Sequence, residues 1–194
     1  MARTKEFDPD VAVAQAIEIF WVRGYANTSM QDLLDELGLN RGSLYGTFGS
    51  KHDLFVAALT RYCEEAPAPL LAALAADGPL LPRLRAALVA LVESDLADPD
   101  RKGCLLLNSA METMPGDAST TELFARTTST IQVAFEAAVR RAQFERELPR
   151  SLNARDASAF LLTTLQGLRV MAKASDDHDA LVASVDFALK ALDS

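Results

Sequence analysis

Apolar residues recur along this chain at helical spacing, and nowhere do β-branched residues alternate with polar ones as they would in a strand. Val13, Ala16, Ile17 and Phe20 share one face of a first segment that opens on Asp8-Pro9, a capping residue followed by the residue best tolerated at the first helical position. Gly24 ends it. Thr28 or Ser29 can cap a second helix whose inner face is Met30, Leu33, Leu34 and Leu37, with Gly38 as its stop. Gly38-Leu39-Asn40 then makes a tight turn, and Asn40 caps a third helix of about two turns with Leu44 and Phe48 inward. Ser50 and Asp53 make an [ST]-x-x-[DE] start for a fourth helix that buries Leu54, Phe55, Ala58, Leu59 and Tyr62.

The rest of the chain is punctuated by APAP (66–69), DGP (77–79), ADPDRKG (97–103), MPGD (114–117), LPRS (148–151) and SDD (175–177). Helix-length segments lie between these breakers, including 80–97, 102–114, 119–146, 154–174 and 178–192. The pattern predicts an all-α protein. Its N-terminal three-helix unit is expected over residues 1–50, a fourth helix over 50–66 links that unit to the rest, and residues 51–194 form a larger helical domain.

Two short helices joined by a glycine turn make a helix-turn-helix. In that motif the second short helix enters the major groove of DNA and offers its N-terminal residues to base edges. Arg41 sits in its first turn, where a guanidinium can donate a forked pair of hydrogen bonds to guanine. Gly42 has no side chain to hold the helix off the duplex, and Ser43 is short enough to reach a base or a phosphate. Tyr45 can set its hydroxyl on a phosphate. Lys51 stands in the first turn of the fourth helix, against the helix dipole, and a bound phosphate would reverse that penalty.

Net charge bears on this. The 194 residues carry a formal charge of -8, which by itself argues against nucleic acid. Affinity for DNA depends on local neutralisation of phosphates, however, so the position of the few cations matters more than the total. The start of the chain lacks the apolar stretch of a secretory signal, and no apolar run is long enough to span a bilayer. Cys63 and Cys104 stand far apart with no metal-ligand spacing. A cytoplasmic protein without a disulfide framework, metal or cofactor is expected. The two histidines, His52 and His178, belong to no metal-binding pair, and no nucleophile elbow or phosphate-cradling glycine loop appears, so no catalytic residue is assigned and an enzyme is not expected.

The run AIEIFWVRGYANTSMQDLLDELGLNRGSLYGTFGSKHDLFVAAL, about the first third of the chain, resembles the N-terminal domain of the TetR family of bacterial transcriptional regulators. The resemblance rests on Phe20, Gly24-Tyr25, Thr28-Ser29, Leu33, Gly38-Leu39, Gly42-Ser43-Leu44-Tyr45, Phe48, Lys51 and Leu54-Phe55, in order and in spacing. It implies that Thr28, Ser29, Tyr45 and Lys51 touch phosphates and that Gln31, Arg41, Gly42 and Ser43 meet bases. Two features depart from the family pattern. Gly46 stands where an aromatic or another large residue is common, and Arg3 and Lys5 make only a thin basic arm. Asp32, Asp35 and Glu36 must face away from DNA.

The last two long segments each carry two apolar stripes. In 154–174 one runs through Ala157, Leu161, Thr164, Leu165, Leu168 and Met171, and the other through Phe160, Thr163, Gly167, Val170 and Ala174. A helix with two such stripes must be covered on both. A second copy of the chain is the economical cover, giving a four-helix bundle. Ala157, Leu161, Leu165, Leu168, Leu181, Val185 and Ala188 are assigned to that homodimer interface, and the resemblance implies the same kind of dimer.

The middle helices carry Leu88, Leu91, Val92, Leu106, Met111, Met114, Phe124 and Phe135, which could line a pocket for an apolar or amphipathic effector, with Asn108, Glu112, Gln132 and Gln166 as polar handles. The resemblance implies some such pocket. The expected function is a ligand-responsive regulator, a repressor released from a near-palindromic DNA operator by a small molecule. The alternative is a redox- or electrophile-sensing regulator acting through Cys104, which follows Arg101 and Lys102 near a helix start, a setting that lowers a thiol pKa.

Overall fold

The computed structural model describes residues 7–193, which hold ten helices and no strand. Arg3 and Lys5, the basic arm, lie outside the described residues. The helices are α1 (Pro9–Arg23), α2 (Met30–Leu37), α3 (Arg41–Phe48), α4 (Lys51–Glu65), α5 (Ala68–Ala75), α6 (Leu80–Ala97), α7 (Leu105–Thr113), α8 (Ala118–Phe144), α9 (Ala154–Ala174) and α10 (His178–Lys190). Their contacts separate into two units. One gathers the chain up to Glu65 with Leu105–Phe124, and the other gathers Ala66–Cys104 with Ala125–Ser194. The division expected after residue 50 therefore does not follow the contacts. The fourth helix belongs with the first three because Leu54, Phe55, Ala58, Leu59 and Tyr62 are all buried there, and α7 and the start of α8 join the same unit.

In the first unit α1 packs on α4 and α2, and α3 leans on α4. Phe20 and Phe55 meet edge to face at 5.2 Å between ring centroids, Tyr25 lies 4.6 Å from Phe55, and Trp21 meets Tyr62 at 4.9 Å. Such aromatic pairs stabilise a core beyond their area.

The second unit is built on α6, which packs against α5, α9 and α10. Leu80, Leu84, Leu88 and Val92 of α6 meet Leu161, Leu165 and Leu168 of α9 and Val185 of α10 in one buried cluster, with Phe135 of α8. Its helix ends are satisfied from a distance. Pro79 offers α6 no side-chain cap, and the Glu147 carboxylate instead accepts from the amides of Leu80 and Leu81 at 2.6 and 2.7 Å. Arg141 donates to the carbonyls of Leu74, Ala75 and Ala76 at the end of α5. An anion at a helix start and a cation at a helix end each offset the macrodipole there.

The seven residues assigned to a dimer interface need correcting. Ala157, Leu161, Leu165, Leu168, Leu181, Val185 and Ala188 are all buried within the single chain. The leucine stripe of α9 is taken by α6 and α10, leaving it no surface for a second copy. What the chain leaves uncovered is the other stripe, Phe160 and Val170 with neighbouring Met171, and Phe187 of α10 at 75 % exposure.

Candidate nucleic-acid interface

The helix-turn-helix is assembled from local caps. Ser29 and Asp32 form a reciprocal capping box on α2, the Asp32 amide donating to Ser29 Oγ at 3.1 Å and the Ser29 amide to Asp32 Oδ2 at 2.7 Å. Gly38 takes the left-handed conformation (φ 64°) that closes α2. Two residues on, Asn40 Oδ1 accepts from the Ser43 amide at 2.8 Å and caps α3. A Cβ on Gly42 would sit 3.3 Å from that same Asn40 oxygen, so the glycine also leaves the cap room. Gly49 turns the chain at φ 84°, and Ser50 and Asp53 start α4 as their spacing predicts.

This frame decides which side of α3 faces outward. Leu44 is fully buried and Phe48 half-buried, its ring 6.2 Å from that of Phe7. On the outward side Arg41, Gly42, Tyr45 and Gly46 are exposed and Ser43 is half-exposed. Gln31, in the first turn of α2, is also exposed, with its amide nitrogen donating to Asp35 at 2.8 Å. The acidic side chains of α2 are occupied. Arg23 pairs with Glu36 at 2.5 Å and with Asp32 at 3.4 Å, and Asp35 receives Gln31. Hydrogen bonds from Ser29, side chain and then backbone, hold the Asp32 carboxyl below the usual range, with a smaller pull from Arg23.

Three residues expected to grip phosphates do other work. Thr28 is completely buried, and its hydroxyl donates to the Gly24 carbonyl at 2.6 Å, so this side chain reaches no phosphate. Ser29 is exposed, but its hydroxyl donates to Asp32 at 2.6 Å. Lys51 lays its ammonium 4.1 Å from the centroid of the Tyr25 ring and donates to the carbonyls of Tyr25 and Thr28 at 2.9 and 2.8 Å. Those two bonds, with the aromatic face, satisfy most of its donors inside the fold.

The polar handle at Glu112 also moves. Its carboxylate accepts from the amides of Tyr25 and Ala26 at 2.9 and 2.6 Å, at the loop leading into α2. A pattern search cannot find this contact, because the partners are backbone groups 87 and 86 residues away. Close by, His52 Nε2 and Asp117 Oδ2 lie 2.5 Å apart. Burial works to raise the Asp117 carboxyl, yet hydrogen bonds from the Thr120 backbone and from His52 carry it below the usual range. The Tyr25 phenol is raised, by burial first and then by the charges of Asp117 and Glu112.

The expected pocket residues are divided between the two units. Leu88, Val92 and Phe135 are closed into the core of the second unit, and Leu106 is buried in the first. Met111 is 82 % exposed, Leu91, Met114 and Phe124 are half-buried, and Met114 and Phe124 belong to the first unit. Within the second unit a cavity of about 330 Å³ lies between α5 and α8, lined by Leu71, Leu74, Ala75, Ala134, Ala137, Ala138 and Arg141. Cys63 is buried and Cys104 half-buried, and neither is joined in a disulfide. Arg101, one of the cations adjoining Cys104 in sequence, donates instead to the carbonyls of Ala172 and Ser175 and pairs with Asp176. Among the described residues no group of three His, Cys, Asp or Glu could hold a metal ion, and no helix is long and apolar enough to cross a membrane.

Comparison with known proteins fits this geometry. Residues 12–58 match the model of bacterial regulatory proteins of the tetR family, and residues 81–187 match that of the tetracyclin repressor-like C-terminal domain. An HTH-type transcriptional regulator of Bacillus subtilis (strain 168), YezE, is 37% identical over 195 residues, all of each chain. The HTH-type transcriptional repressor ComR of Escherichia coli (strain K12) is 26% identical over 88% of this chain and 82% of its own. A solved structure of a cysteine mutant of the TetR family transcriptional regulator CifR, complexed with 26bp double-strand operator DNA, superposes with a TM-score of 0.85. It is 28% identical and covers 97% of this chain and 99% of its own.

Proposed function

This chain belongs to the TetR family of bacterial regulatory proteins and is a transcriptional regulator; on that premise we propose that it is a homodimeric, cytoplasmic repressor that reads a near-palindromic operator through α3 and leaves it when a small molecule binds. One observation carries the reading. The two-turn helix turns Leu44 into the fold and holds Arg41, Gly42 and Tyr45 outward, which is the presentation a major-groove reader needs. CifR, with its operator duplex, and ComR, a named repressor, support it by likeness.

Within this reading Arg41 is the base-reading cation and Tyr45 reaches the phosphate rail. Gln31 meets a base once it exchanges Asp35 for it. The start of α3 adds a helix dipole favourable to phosphate. Thr28 and Lys51 act indirectly, by holding the loop that aims α2. The effector's chemistry is linked to DNA by mass action: whatever factor it takes from operator affinity, operator takes from its own.

Arg41→Ala is expected to cost about 1–3 kcal/mol on operator and much less on scrambled DNA. Binding titrations against the promoter next to its own gene, with a scrambled duplex alongside, decide it. Equal losses on both would make Arg41 a phosphate contact, and no binding by the unaltered protein would remove the regulator reading of this promoter.

The dimer is proposed on the exposed faces of α9 and α10. Two reading helices related by a two-fold axis should meet half-sites about 34–36 Å apart, or a multiple of that. Val170→Glu combined with Phe187→Glu places charge on two exposed apolar positions and is expected to turn a dimer into a monomer by light scattering, with the helical content kept. A variant that still dimerises at low micromolar concentration would place the interface elsewhere.

A further inference from the structure

Residues 24–28 join α1 to α2, and two opposite charges grip them. Lys51 of α4 donates to the carbonyls of Tyr25 and Thr28, while Glu112 of α7 accepts from the amides of Tyr25 and Ala26. The peptide groups are thus held by their oxygens on one side and their nitrogens on the other. Glycine at position 24 makes room for this. A Cβ there would lie 3.1 Å from Glu112 Oε2, and the backbone is at φ 79°, a conformation L side chains rarely adopt. A second tie joins the same partners, since His52 of α4 faces Asp117 at 2.5 Å. Asp117 Oδ1 in turn accepts from the Thr120 amide at 2.7 Å and caps the start of α8.

We propose that Glu112 is a positioning residue for DNA recognition, a carboxylate latch by which the α7–α8 corner sets the angle at which α2 and α3 are presented. The loop it holds ends at Ser29, the cap of α2, and the turn after α2 leads directly to Asn40, the cap of α3. A shift of the loop is therefore passed on through capped, rigid elements. Carboxylate-to-amide bonds are charge-assisted and directional, so they fix position where apolar contacts would let the loop slide. In sequence, the segment 105–124 that carries the latch interrupts the stretches of the second unit, entering at Cys104 and leaving at Ala125. The latch is thus one tie by which that inserted segment joins the reading head, beside His52–Asp117 and the packing of α7 on α4.

The proposal rests on operator binding, and the experiment separates the two. Glu112→Gln keeps the shape but offers one oxygen and one NH₂ to two amide donors, so one of the two bonds is lost. Its operator Kd is expected to rise about tenfold, within the range usual for coupled sites. Affinity for non-operator DNA, and the circular dichroism at 20 °C, should stay unchanged. A residue of merely structural importance would shift the melting temperature and leave the operator-to-non-operator ratio alone. His52→Gln, at the second tie, is expected to lose less, about fivefold, the lower end of that range. Amide exchange on the unaltered protein needs no variant at all: Tyr25 and Ala26 should be protected well beyond Asn27, and one of the two should lose that protection in Glu112→Gln. Folded Glu112→Gln with operator affinity within twofold of the original, or unprotected amides at 25 and 26 in the original, overturns the latch. Failure of the unaltered chain to bind any operator tells instead against the regulator reading.

Discussion

Arg169→Met should destabilise the second unit by about 3–5 kcal/mol, which for a chain of this size lowers Tm by roughly 6–20 °C. Arg169 and Asp95 form a forked ion pair between α9 and α6 at 2.9 and 3.0 Å, with side-chain exposures of only 16% and 9%. The same guanidinium donates to the Gly103 carbonyl at 2.9 Å. Removing it strands the Asp95 carboxylate in the interior, and the cost is that of the abandoned charge more than of the lost bonds.

The pH dependence of that variant has a definite sign. Burial already pushes the Asp95 carboxyl above the usual range, against the pull of Arg169 and with a small addition from Asp98. Without Arg169 only the upward pushes remain. A folded-state pKa above the unfolded one means that the native state holds the proton more tightly. Stability is then fully present below the unfolded carboxylate pKa and is lost as pH rises through the raised folded value. Urea unfolding of Arg169→Met should therefore show a deficit that shrinks on acidification. Arg169→Met with Asp95→Leu should recover most of the loss, since apolar replacements of a buried pair are often neutral or better. A single variant within 1 kcal/mol of the original, at neutral pH, would mean that water reaches Asp95 well enough to replace the guanidinium.

The pair also marks where the sequence stops being readable. Asp8, Ser29, Asn40 and Asn153 cap helices within three residues of their partners, and Gly38 and Gly49 stop helices by their own backbone freedom. Such signals are local, so the order of helices from α1 to α4 and the bounds of α6 and α9 follow from the chain alone. Glu147 on α6, Arg141 on α5 and Glu112 on the α1–α2 loop serve the same physical need from 65 or more residues away. Nothing in a neighbourhood of the chain announces them. The double stripe of α9 shows a different limit. Periodicity establishes that both faces are apolar, but which one the chain covers itself depends on whether α6 and α10 fit the leucines or the Phe160 side. The longer, regularly spaced leucines interdigitate with α6, and the stripe interrupted by Gly167 is left outside.

The DNA-reading helix divides along the same line. Its exposed residues and its caps could be seen in the pattern, because an outward side chain is defined by what lies opposite it on a two-turn helix. Thr28 and Lys51 could not be placed, because a hydroxyl and an ammonium serve equally well on a phosphate or on a carbonyl. The choice rests with Tyr25, whose ring and carbonyl receive Lys51, and with Gly24, whose carbonyl receives Thr28.

Leu44→Ala is expected to cost about 2–5 kcal/mol and to remove operator binding along with the order of α3. The helix is poorly equipped to stand alone. It has eight residues, two of them glycines at 42 and 46, each about 1 kcal/mol worse than alanine in a helix interior. Eight residues are also too few for an isolated helix in water. Leu44 is its one fully buried side chain, with Phe48 half-buried beside it. Truncation leaves a cavity over α4, against which α3 packs, and Thr47, the nearest methyl of α3, is exposed rather than turned toward it. The contrast with Arg41→Ala is diagnostic. That variant should melt as the original does and lose discrimination between sequences, whereas Leu44→Ala should melt early and lose affinity for every duplex. Amide exchange should localise the damage, with protection collapsing from Leu44 to Gly49 while Leu54 to Leu59 of α4 keep most of theirs. Intact protection across α3 in Leu44→Ala, with stability down by less than 1 kcal/mol, would assign the anchoring to the Asn40 cap and Phe48 instead.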